Sequence, residues 1–138
     1  MAKSRSSAAR YKFQYAAKFI CISNIPGTSQ TTGSFVPGKY QTAVNIHNPQ
    51  NVLVKYRKKM AWPIEISKYY EGSLKPDAVE GISCEQIGNF GLHLIHGFEG
   101  FLVIESVASL DVVAVYTACG HAQEVSTMDV EQIKERRI

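Results

Sequence analysis

The stretch Gly100 to Cys119, GFLVIESVASLDVVAVYTAC, constrains this chain more than any other: two apolar, β-branched runs joined by a short polar break. Phe101 to Ser106 and Leu110 to Ala118 are rich in Val, Ile, Leu, Phe and Tyr, residues that suit a pleated, packed surface. In the second run Leu110, Val112, Ala114 and Tyr116 alternate with Val113, Val115 and Thr117, so both faces are apolar after Asp111. That pattern predicts a central strand covered on both sides. Val107-Ala108-Ser109 is short enough to close an antiparallel hairpin between the runs, although it lacks the Asn-Gly or Asp-Gly pair of the tightest turns.

Period-two alternation recurs upstream. Tyr11, Phe13, Tyr15, Ala17, Phe19 and Cys21 alternate with Lys12, Gln14, Ala16 and Lys18, which predicts a half-buried strand with its aromatics inward. Residues 24–38 hold two Pro and three Gly and read as a long loop over one end of the domain. Lys39 to Asn48 places Tyr40, Thr42, Val44 and Ile46 on one face, and Asn48-Pro49-Gln50-Asn51 makes a turn. Val52 to Trp62 sets Val52, Val54, Tyr56, Lys58 and Met60 opposite Leu53, Lys55, Arg57 and Lys59, with the cationic side outward.

Pro63 to Tyr70 reads as a short strand or an irregular crossover, with turn signals at Glu71-Gly72 and Lys75-Pro76-Asp77. Ala78 to Cys84 is a further strand, residues 85–97 a Gly-rich loop with room for one helical turn at Cys84 to Ile87, and Val125 to Gln132 a last strand. The charged end IKERRI either extends that strand or frays. The class is therefore all-β: a single antiparallel β-sandwich of about seven to eight strands, immunoglobulin-like or jelly-roll, with no amphipathic helix of useful length. Residues 1–10 form a flexible basic arm and residues 11–138 the domain.

Apolar residues make up 45% and charged residues 20%, which excludes wholesale disorder. The net charge of +3 is unevenly placed. Lys3, Arg5, Arg10, Lys12 and Lys18 fall in the first 18 residues without one acid. No apolar run reaches the ~20 residues of a membrane helix, and Lys12, Gln14 and Lys18 interrupt any signal-peptide core. The expectation is a cytoplasmic protein with no membrane insertion. Cys21, Cys84 and Cys119 are too few for a disulfide scaffold, so reduced thiols are the default, with one intramolecular bridge open to an exported chain.

The segments YQTAVNIHNP (40–49), VKYRKKMA (54–61), LKPDAVEGISC (74–84), GFLVIESVASLDVVAVYTA (100–118) and VSTMDVEQI (125–133) resemble a group of small, uncharacterised bacterial β-sandwich proteins, over most of residues 11–133. The long apolar pair also resembles segments of immunoglobulin-like surface and assembly modules. The resemblance implies the fold and a non-enzymatic role, and it brings no site with it.

Four chemistries can be posed. Cys84, His93, His96, Cys119 and His121 are thiols and imidazoles suited to zinc, although no paired C-x-x-C is present. Cys119 or Ser106 could act as a nucleophile with His121 or His96 as base, but no elbow, oxyanion glycine motif or orienting acid accompanies them. Arm cations with Lys55, Arg57, Lys58 and Lys59 could meet nucleic-acid phosphates, with Tyr56 and Trp62 as stacking surfaces. The fourth, and the one expected here, is assembly: a non-enzymatic structural or interaction module, homo-oligomeric through its N-terminal arm or an edge strand. Its interaction residues are Arg5, Arg10, Lys55, Arg57 and Lys59. No cofactor is expected, and zinc is the alternative ligand.

Overall fold

The computed structural model describes residues 10–24, 35–92, 94, 97–120 and 124–138. Among them the chain forms β1 (Phe13–Asn24), β2 (Gly38–His47), β3 (Val54–Ala61), β4 (Tyr70–Leu74), β5 (Val79–Ser83), β6 (Gly97–Ser106), β7 (Asp111–Cys119), β8 (Thr127–Gln132) and β9 (Glu135–Arg137). Also among the described residues, a 3-10 helix, Cys84–Phe90, lies between β5 and β6 and starts on a capping box of Ser83 and Gln86. The strands make one antiparallel sheet in the order β4-β3-β6-β1-β2-β7-β8, with β5 added to β2 and β9 to β1. The all-β expectation holds, and no helix among the described residues is long and apolar enough to cross a membrane.

The sheet opens along one seam. β1 and β2 pair only from Ile22↔Tyr40 to Asn24↔Gly38 and then part. The edge that β1 loses is taken by β9 at Phe13 to Tyr15, and the edge that β2 loses by β5 at Ala43 to His47. Buried backbone groups need partners, and in the gap side chains supply them. Thr42 Oγ1 accepts from Ile20 N at 2.8 Å and donates to Ile20 O at 3.0 Å, while the Tyr116 hydroxyl donates to Lys18 O at 2.8 Å.

Most of the inward rows read from the sequence are buried, but Val52, placed in the row of β3, precedes that strand and is 59% exposed. Tyr15, Ala17 and Phe19 of β1, Val44 and Ile46 of β2, Val54, Tyr56 and Met60 of β3, Leu102 and Ile104 of β6, and Val112 and Ala114 of β7 fill one core. The polar alternates face outward, as period two requires.

The expected hairpin between the two apolar runs does not form. Both edges of β6 are occupied, one by β1 from Phe13↔Ser106 to Ile22↔Gly97 and the other by β3, while β7 lies between β2 and β8. The link instead carries the chain from one half of the sheet to the other. Val107 N donates to Lys55 O at 3.1 Å, the buried Ser106 hydroxyl donates to Ala108 O at 2.6 Å, and Leu110 N donates to the Tyr15 hydroxyl at 2.7 Å. Without a tight-turn pair nothing local forces the runs side by side, and their inner rows contribute to the same core from different parts of the sheet. β7 is also covered on one side only, since Val113, Val115 and Thr117 are half-exposed.

Boundaries moved where glycine masked a strand. β4 forms across the expected Glu71-Gly72 turn because Gly72 lies opposite Tyr56, where a Cβ would stand 3.0 Å from the tyrosine oxygen. β6 begins at Gly97 rather than Phe101. At Gly100 a Cβ would fall 2.2 Å from Ala61 O and 2.7 Å from Trp62 Cβ, so the glycine lets the β3 exit cross closely over β6. Gly100→Ala is expected to lower unfolding stability by about 1–3 kcal/mol, because backbone must move to admit the methyl. A urea titration checks it, and an unchanged midpoint refutes the close approach.

The turn after β2 depends on Asn48 more than on Pro49. Asn48 is 0% exposed; its Nδ2 donates to Val52 O at 2.9 Å and Leu74 O at 2.8 Å, and its Oδ1 accepts from Gln50 N at 2.8 Å. Its own N–H donates to Ala78 O, and its carbonyl accepts from Asp77 N. One side chain thereby ties the loop before β3 to the end of β4. At the C-terminus the charged end leaves β8 as a separate strand on β1, with Tyr15 donating to Glu135 Oε1 at 2.6 Å.

Candidate interaction surface

Lys55, Arg57 and Lys59 lie on the outer face of β3, as alternation requires, with Lys55 exposed. Arg57 is committed to the fold. Its Nη2 and Nε donate to Glu105 Oε1 at 2.6 and 2.9 Å, and its guanidinium lies 4.3 Å from the Tyr11 ring centre and 4.0 Å from that of Tyr69. Burial alone would raise the Glu105 carboxyl, but hydrogen bonds from Arg57 and Gln14 outweigh it and hold the group below its ordinary range. Lys59 stands 4.6 Å from the Tyr69 ring. Arg10 is exposed, and Arg5 lies outside the described residues. The stacking surfaces proposed for nucleic acid are otherwise engaged: Tyr56 is 3% exposed, and Trp62 packs 5.4 Å from the Phe98 ring.

Lys58 points the other way, toward the core side, where it and the Tyr56 hydroxyl both bind Glu80 of β5. Burial first, and then the bond to Glu80, push the Tyr56 phenol upward, so it stays protonated. One carboxylate, held by a cation and a phenol, thus links β3 to β5.

The thiols are divided. Cys21 of β1 and Cys84 at the start of the 3-10 helix form a disulfide, with Cα atoms 5.7 Å apart, while Cys119 is free. This corrects the default of three reduced thiols and leaves Cys84 no thiolate to offer zinc. Cys119 lines a shallow cavity of about 230 Å³ with Lys39, Gln41, Thr117, Ala118 and Val125. His93, His96 and His121 lie outside the described residues, among which no group of three or more His, Cys, Asp or Glu side chains is arranged to hold a metal ion. Ser106, the other posed nucleophile, is 0% exposed and spends its proton on Ala108 O.

His47, the histidine among the described residues, was not marked by the sequence and is held between two carboxylates. His47 Nδ1 lies 2.7 Å from Asp111 Oδ2 and Nε2 lies 3.2 Å from Asp77 Oδ1. The bond to Asp111, opposed by partial desolvation and aided by Asp77, raises its pKa. The cross-strand pairing His47↔Asp111 was the signal, visible only once β2 and β7 are known to be neighbours.

β8 differs from every other long strand. All of its residues are exposed, and among the described residues it pairs only with β7. Met128 and Val130, 61% and 58% exposed, share the outer face with Val115 and Thr117, and Val125 is exposed beside them. Asp129 and Glu131 share the opposite face with Tyr116 and Ala114. Burial, then Glu131 and Asp129, push the Tyr116 phenol up to about 12. β8 thus presents an open backbone edge with an apolar row on one side and an acidic row on the other.

No family model matches the chain, and no curated protein matches it. Among solved structures the fold is similar to that in the crystal structure of Thermotoga maritima 1070, at 12% identity and a TM-score of 0.58, covering 93% of this chain and 95% of that one. At that identity the likeness extends to the fold and not to any site.

Proposed function

We propose that this chain is a non-enzymatic structural or protein-interaction module that self-associates through the free edge of β8. We also read the opened sheet as a β-sandwich, with β4-β3-β6-β1-β9 and β5-β2-β7-β8 as its two layers and the β1–β2 seam as their shared corner. The carrying observation is β8 itself: six residues exposed on both faces, with an edge that no other described strand pairs and two large apolar side chains outward. Such an edge is a template for an added strand, and proteins that do not use one ordinarily shorten or cover it. A non-catalytic role is supported by the occupation of Glu80, Glu105 and Ser106 in structural bonds. The Cys21–Cys84 bridge favours an oxidising compartment over the cytoplasm expected from composition.

Light scattering across a concentration series tests the reading. The full chain is expected as a dimer or larger species. A Met128→Lys/Val130→Lys variant is expected to associate about tenfold or more weakly with little change in melting, since both side chains are exposed. A full chain that stays monomeric at the highest attainable concentration sinks the proposal.

A further inference from the structure

We infer that the strand received by β8 is the N-terminal arm of a second copy of this chain, laid antiparallel with Lys3 opposite Glu131 and Arg5 opposite Asp129. This rests on the β8 reading and names its partner.

The acidic row decides what can pair there. In the central two-fold registers, centred on Asp129 or Val130, two β8 strands would place Asp129 against Asp129 or Asp129 against Glu131, and like charges directly opposite each other destabilise a strand pair. β8 therefore selects against itself. Its complement is an extended segment with two cations spaced two residues apart in one row and small residues in the other.

The arm has that pattern. Lys3 and Arg5 are two apart, Ser7 follows in the same row, and Ala2, Ser4 and Ser6 make the alternate row. With Arg5 opposite Asp129, Ser7 falls opposite Thr127, and Ser4 and Ser6 fall beside Val130 and Met128. No acid occurs before residue 19 to oppose the approach. Other edges lack the pattern: β9 alternates Glu135 and Arg137 in one row with Arg136 in the other, and β4 carries Glu71 and no cation. The cations Arg57, Lys58 and Lys18 already hold Glu105, Glu80 and Glu99. Every pairing in the sheet is antiparallel, and the added strand continues that sense.

The test uses the full chain and a charge swap. Lys3→Glu/Arg5→Glu and, separately, Asp129→Lys/Glu131→Lys are each expected to weaken association about tenfold or more, and combining the four substitutions restores it. A Cys119→Ser chain carrying Arg5→Cys and Asp129→Cys is expected to give a covalent dimer on oxidation. A cross-link within one copy, or none, overturns the inference. If Met128→Lys/Val130→Lys weakens association while the arm reversal does not, the arm is wrong and the β8 reading stands. A monomeric full chain removes both.

Discussion

An Asn48→Asp chain is expected to lose about 3–5 kcal/mol of unfolding stability at neutral pH, the largest effect of any single substitution considered for this fold. The amide donates to Val52 O and Leu74 O from a site with no solvent exposure. A carboxylate there is an acceptor facing two acceptors, and it brings a charge that water does not reach. Because the folded state favours the protonated acid, the carboxyl pKa is raised on folding. The stability that the acid form retains is then present below about pH 4 and lost as pH rises through the folded value. Chemical denaturation at acid and neutral pH reads both parts. Asn48→Ala, which orphans the same carbonyls without adding charge, should cost about 2–3 kcal/mol and show no such pH dependence.

Opening the Cys21–Cys84 bridge ranks second. The bond closes a loop with a sequence separation of 63, for which the chain-entropy argument gives roughly 4 kcal/mol of destabilisation and common experience 2–4 kcal/mol. Either dithiothreitol or Cys21→Ala/Cys84→Ala should lower the melting temperature by roughly 10 °C. The two treatments should agree, because Cys119 is the only thiol left unpaired. A Cys21→Ala/Cys84→Ala chain that melts with the parent would mean that the seam between β1 and β2 holds without its cross-link.

Period-two alternation carried most of what the sequence could say. It set the inward rows of β1, β2 and β3, placed Lys58 opposite Arg57 and Lys59, and located β7 to within a residue. Alternation reports which face a side chain takes and is silent about which strand lies alongside. For that reason β6 and β7 were expected as partners, although each is paired elsewhere. The same silence hid the His47 and Asp111 contact and the pairing of Cys21 with Cys84, both of which depend on strand order. The glycines at 72 and 97 read as breaks because their real cause, a close neighbour, lies far off in sequence. Of the candidate sites, the cationic strand was legible as a face, but not as a face whose central arginine is already held. β8 was legible as a strand, but not as one left uncovered.

The pairing of β1 also governs when this protein can exist during its synthesis. Its longest partner, β6, begins at Gly97, and β9 begins at Glu135; β2 comes earlier but meets it only from Ile22 to Asn24. A nascent chain that has delivered Tyr15, Ala17 and Phe19 to the ribosome exit must therefore keep an aromatic strand waiting until Gly97 and the residues after it have been translated. The fold closes late, from both ends at once, and slow, non-local folding of this kind leaves the first strand the most in need of a chaperone.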